Sequence, residues 1–150
     1  MRIVSLTFTI FLFVSMQSIC FPDTLKLTTN KRVYYHEASL DSENIELYSD
    51  SEKVGVETLL GIEGLNKFKK CKQITVSYFY DVNLLTLDCK TPVSIVIQNS
   101  SVSNINEILS LNIDALLLQS CILPDKIVID ARNSKVQYLE ITNARFDSMP

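Results

Sequence analysis

The chain has 150 residues, 47% of them apolar, and a formal net charge of −3; that is long enough for one domain and too apolar for a disordered tail. Its 14 basic residues against 17 acidic ones leave no patch fit to neutralise phosphates, which argues against a nucleic-acid partner. His36 is the only histidine and the cysteine spacings match no zinc pattern, so no metal or other cofactor is expected.

The first predicted element is a secretory signal peptide over residues 1–20. Arg2 opens it, Ile3 to Val14 form an uncharged apolar core, and Ser18 and Cys20 are small residues suited to cleavage before Phe21. Cleavage after Ser18 is the other option. The apolar core falls short of the roughly 20 residues a membrane span requires, and no later stretch is apolar enough to cross a bilayer. Loss of residues 1–20 removes one basic residue and no acid, taking the charge from −3 to −4. The mature chain is expected outside the cytosol, secreted and without a membrane span, in a setting that permits disulfides.

Residues 21–58 carry short strand-like stretches, Leu25–Leu27, Arg32–Tyr35 and Ile45–Tyr48, separated by polar runs. Next, Leu59, Ile62, Leu65 and Phe68 recur at spacing three and predict a helix face. The remainder is organised by a repeat. Segments starting at Cys71, Pro92, Ile113 and Val136, spaced by 21, 21 and 23 residues, align with one another. Their fourth position holds Ile74, Ile95, Leu116 and Leu139; their sixth holds Val76, Ile97, Leu118 and Ile141. Each such pair predicts a short strand with its aliphatics inward, stacked coil on coil. The ninth position, with Phe79, Ser100, Cys121 and Ala144, should face inward where the chain leaves the strand; Ser and Cys are small enough to fit and satisfy backbone groups weakly. Pro92 at the first position and Asp81 at the eleventh are the poor matches. Ile105, Ile108 and Leu111 predict a helix row before the third segment. The competing reading is a three-layer α/β or sandwich fold with accidental spacing.

These segments resemble the leucine-rich-repeat superfamily over about residues 59–150, and the signal peptide with irregular Asn- and Ile-rich repeats resembles the extracellular, insect immune members. The extra repeats, cysteine-rich junction and coiled-coil tail common in those proteins have no counterpart in this sequence. The resemblance implies an α/β solenoid with a parallel sheet on its concave face and recognition of a protein partner through that face; residues 21–58, which lack the repeat, are expected to form the N-terminal cap that the first coil of a solenoid needs.

On that template the outward strand residues are Gln73, Thr75 and Ser77, then Ser94, Val96 and Gln98, then Ala115, Leu117 and Gln119, then Tyr138, Glu140 and Thr142. Val96, Gln98, Leu117, Gln119, Tyr138 and Glu140 are the candidate partner-binding set, with Val96 and Leu117 as an apolar centre and Tyr138 as the anchor. Asn99-Ser100-Ser101 is a glycosylation sequon. Cys71 and Cys89 flank one outer connection and are the expected disulfide. No catalytic motif occurs, so no catalytic residue is expected. The last coil, Val136 to Phe146, lacks a cover in the sequence, which predicts further coils or docking, including homo-oligomerisation through the C-terminal coil. The function expected is a secreted protein-binding module in innate immunity or cell-surface recognition. The alternatives are a secreted hydrolase or inhibitor with an accidental repeat, or a fragment of a receptor ectodomain.

Overall fold

The computed structural model describes residues 23–49 and 56–147; the signal peptide assigned to residues 1–20 lies outside them. The order of elements is β1 (Asp23–Thr29), β2 (Val33–Ala38), β3 (Asn44–Tyr48), β4 (Thr58–Glu63), a 3-10 turn (Leu65–Lys67), β5 (Gln73–Ser77), β6 (Asp81–Leu87), β7 (Val93–Gln98), α1 (Ile105–Leu109), β8 (Ile113–Gln119), β9 (Ile122–Leu123), β10 (Tyr138–Thr142) and β11 (Arg145–Phe146).

One five-stranded sheet runs in the order β10-β8-β7-β5-β3, and every neighbouring pair in it is parallel. Alternating β-branched and aliphatic residues at period two put one face of each strand inward. The register lines up Ile45, Ile74, Ile95, Leu116 and Leu139 as one row, and Leu47, Val76, Ile97, Leu118 and Ile141 as a second. The alignment of Ile74, Ile95, Leu116 and Leu139 expected from the 21- to 23-residue period is the pairing observed. In both rows the first four members are at most 2% exposed, each contributing about 1.5–3 kcal/mol of apolar burial. β3 adds a coil in front of the four that the repeat revealed.

The second sheet runs β2-β1-β4-β6, with β1 antiparallel to β2 and to β4 and with β4 parallel to β6. Ser101 bridges in parallel to Asp81 on one side and to Ile122 on the other, and β9 pairs in parallel with β11. Leu25, Leu27, Leu59, Ile62, Val82 and Leu84 from this sheet join the inward rows of the first in a single core. The molecule is thus mostly β-strand, with parallel sheets stacked like the coils of a solenoid.

Helix is scarcer among the described residues than the α/β class expected from the sequence implies. The one described α-helix is five residues long, and the opposite side of the first coils is strand. Leu59 and Ile62 lie on β4, and only Leu65 enters a 3-10 turn. Gly64, at φ 95, opens that turn, and the Asp88 carboxylate accepts from the backbone N–H groups of Gly64 (2.7 Å) and Leu65 (3.0 Å). Of the expected row Ile105, Ile108 and Leu111, the first two lie on α1 and are buried, while Leu111 falls just beyond the helix and is half-buried.

Each of the four repeat coils turns from the first sheet to the second through one left-handed residue at the same register: Tyr78 (φ 64), Asn99 (φ 49), Ser120 (φ 54) and Asn143 (φ 53). Asn tolerates this conformation; Tyr and Ser bear a strain of about 1–2 kcal/mol. The next residue in each coil points in. Phe79, Ser100 and Cys121 are buried and Ala144 is half-buried. Ser100 Oγ accepts from Phe79 N (3.0 Å) and donates to Gln98 O (2.9 Å), while Cys121 Sγ donates to Ile97 O (3.3 Å). The small polar residues at this position therefore tie neighbouring coils together. Pro92 is exposed, and a register shift at Val93/Ser94 pairs Val93 with Ile113 in its place. Asp81 earns its position by accepting from Ser103 N (2.8 Å) and Ser103 Oγ.

Cys71, Cys89 and Cys121 are all free thiols. The bridge expected between Cys71 and Cys89 is not formed. Cys71 Sγ donates to Gln73 O (3.4 Å) and Cys89 Sγ donates to Asn112 O (3.2 Å), so each thiol is satisfied by a carbonyl of the coil framework. Burial raises the pKa of all three above the ordinary thiol range, which keeps them protonated.

Candidate functional site

The outward face of the five-stranded sheet consists of three rows set by the pairing register. Asn44, Gln73, Ser94, Ala115 and Tyr138 form the first; Glu46, Thr75, Val96, Leu117 and Glu140 the second; Tyr48, Ser77, Gln98, Gln119 and Thr142 the third. The six candidate partner-binding residues thus share one face. Val96 and Leu117 are adjacent across β7 and β8, as are Gln98 and Gln119.

Their surroundings differ from the sequence picture. Val96 is only 5% exposed and Leu117 is half-buried, so the apolar centre is recessed. Gln98 Nε2 donates to Gln119 Oε1 at 2.7 Å, and Ser77 Oγ donates to Gln98 Oε1 at 3.4 Å. This third row is a cross-strand amide ladder whose groups largely satisfy one another. Ser94 Oγ donates to Asp114 Oδ1 at 2.9 Å.

The exposed side chains stand at the two edges of the face. Tyr138 on β10 is exposed, and its hydroxyl donates to the Glu140 carboxylate. That hydrogen bond and the carboxylate charge hold the phenol above its ordinary pKa. At the other edge Tyr48 is 59% exposed. It flanks a recess of about 430 Å³ lined by Glu46, Ser77, Tyr78 and Gln98 among others. His36 from β2 packs edge-on against Tyr48 with ring centroids 6.3 Å apart. Burial holds the His36 imidazole below its ordinary pKa, with Glu37 opposing the shift. Sequence reasoning missed Tyr48 because the period of the repeat does not reach β3.

A cleft of about 820 Å³ opens along the corner where the coils turn between the sheets. Asn99 is exposed there, so the sequon occupies the corner and not the sheet face. The cleft also takes in Tyr80, Ser120, Ile122, Asn143 and Arg145. Its only advance sign in the sequence was the sequon.

Among the described residues no group of three His, Cys, Asp or Glu is placed to hold a metal ion, and no helix is long and apolar enough to cross a membrane. No protein-family model matches the chain, and neither does any curated protein or solved structure.

Proposed function

We propose that this chain is a secreted recognition module of leucine-rich-repeat character that binds a protein partner through the outward face of its parallel sheet, and that it acts by binding, not by catalysis. One observation carries the reading. Five parallel strands hold their outward side chains in three straight rows, with exposed tyrosines, Tyr48 and Tyr138, at opposite edges of a recessed Val96–Leu117 centre. Interface energy concentrates on aromatic anchors around a desolvatable apolar centre, and a sheet locked by its ladder loses little entropy on docking. The signal-peptide pattern of residues 1–20 supports an extracellular setting, and with it use in innate immunity or cell-surface recognition.

The test is retention from extracellular fluid on the immobilised chain, compared with Tyr138→Ala, Tyr48→Ala and Leu117→Arg variants whose folding is checked by circular dichroism. A specific partner retained by the parent chain is expected to bind each variant about tenfold or more weakly. A partner held equally well by all three variants sinks the reading. Turnover of an ester or peptide panel would favour a secreted hydrolase instead.

A further inference from the structure

We infer that the corner cleft is a second binding site, for an oligosaccharide. It lies away from the sheet face and shares with the proposed function only the extracellular setting. The cleft spans the coils from Tyr80 to Arg145. Those residues lie three coils apart, which at about 4.7–4.9 Å per strand is roughly 14 Å along the solenoid axis. Its volume, about 820 Å³, is that of a small-molecule site.

Ser100 in the lining is held by the coil framework, but five other polar side chains there are uncommitted. Tyr80, Asn99, Ser120, Asn143 and Arg145 make no side-chain hydrogen bond or ion pair with any described residue, whereas the row on the sheet face is joined by its amide ladder. Amides and hydroxyls each offer both donor and acceptor capacity, which is what a polyhydroxyl ligand presents in return. Arg145 is the single charge among them. In an acidic chain, a cation without a partner at one end of a neutral cleft suits a glycan that bears a carboxylate or sulfate. Tyr80, 62% exposed, and Ile122, 44% exposed, supply apolar faces against which sugar C–H groups can pack.

The backbone argues against an extended peptide as the occupant. Tyr78, Asn99 and Ser120 donate their N–H groups to Gln98 O, Gln119 O and Thr142 O of the next coil. The N–H groups of Ser101, Ile122 and Arg145 are given to Tyr80 O, Ser100 O and Cys121 O of the preceding coil. Strand addition needs free main-chain donors, and these are already used. Recognition here falls to side chains.

The sugar can come from two sources, because Asn99 of the sequon is in the cleft: a glycan attached to Asn99, or a glycan carried by another molecule. Two arms separate them. In the first, chain made in a secretory eukaryotic host is assayed for an Asn99-linked glycan by mass, and for contacts of that glycan with the Tyr80 ring by nuclear Overhauser effects. In the second, Asn99→Gln chain, which carries no glycan, is applied to an immobilised panel of neutral, carboxylated and sulfated oligosaccharides. The site is supported by contacts to Tyr80 in the first arm. It is equally supported by panel binding that Tyr80→Ala and Arg145→Ala each weaken about tenfold or more while Tyr35→Ala, on the distant β2 strand, leaves it unchanged. Arg145→Ala should act chiefly on the charged members of the panel. Absence of signal in both arms overturns the proposal. So does binding that survives both cleft variants, or binding to peptides alone. Loss of the sheet-face partner with panel binding intact would leave this site standing, and the reverse result would leave the sheet-face reading standing.

Discussion

The two ends of the described solenoid are built from the same kinds of residue and are covered differently. At the N-terminal end, β2 pairs with β1, and Tyr34 and Ala38 pack against the core. Arg32 lies 4.6 Å over the Tyr34 ring and reaches the fully buried Glu57 carboxylate at 2.8 Å. Further ion pairs, Lys26–Glu63, Lys67–Asp23, Lys70–Asp41 and Lys72–Glu43, gather at the same end. At the other end β10 is the edge of its sheet, Ile141 is 39% exposed and Phe146 is 41% exposed. The aliphatic spine is continuous through both. What differs is whether a neighbour lies on each side, so burial here is a property of stacking and not of residue type.

The strongest way to break that contrast is to cut the same spine at two places. Ile97 and Ile141 occupy one row, in register with each other through Leu118. Ile97→Ala should cost about 2–5 kcal/mol, because a closed coil on either side prevents collapse around the cavity. Ile141→Ala should cost roughly 1 kcal/mol or less, since water already reaches that side chain. Urea denaturation of both variants measures the difference. Equal losses would mean that the last coil is covered as well as the middle ones.

A smaller effect is expected at the N-terminal closure. Arg32→Ala strands the Glu57 carboxylate, whose side chain is fully buried. Removing one partner of a buried pair costs about 3–5 kcal/mol in closed sites. The Arg32 side chain is 30% exposed, so water can screen part of the loss and about 1–3 kcal/mol is the expectation. The Arg132–Asp130 pair near the other end is solvent-facing, and Arg132→Ala should leave the denaturation midpoint in place. A midpoint unmoved by Arg32→Ala would show that the closure does not depend on this pair.

The same contrast explains what the sequence could reveal. Where coils repeat with a near-constant length, the register was legible to the residue: Ile74, Ile95, Leu116 and Leu139 pair as the spacing demands. β3 escaped because Ile45 pairs with Ile74, a step longer than the 21 to 23 residues of the others. The helix expected over Leu59 to Phe68 has a specific cause. β4 carries a register shift between Leu59 and Gly61. That irregularity lets Leu59 and Ile62 both face inward, giving a strand the spacing of a helix. Gly61 is held there because a Cβ would collide with the Thr86 hydroxyl. The candidate face was found, but the recession of Val96 was not, since an outward position on a strand says nothing of how neighbouring rows close over it. The corner cleft was the least legible feature. Its geometry depends on left-handed residues, and Tyr78 and Ser120 do not announce that conformation as Asn99 and Asn143 do.

The smallest effect is pH-dependent and should also reside at the N-terminal end. Burial holds His36 below its ordinary pKa of 6.5 in the folded chain. The unfolded chain therefore takes up the proton first as the pH falls. The contribution is fully present above about 6.5, is lost as the pH drops below that value, and stops changing once the folded imidazole is also charged. The exposed carboxylates Asp41, Glu43 and Asp130 are held below their ordinary values by hydrogen bonds from Lys70, Lys72 and Arg132. They weaken the fold only at lower pH, as it falls through and below the usual carboxylate range, which leaves the interval from about 6.5 to about 5 to His36. The urea midpoint should decline modestly across that interval in the parent chain and stay flat in His36→Gln. A decline of the same size in the variant would place the titrating group elsewhere and remove His36 from the closure of that end.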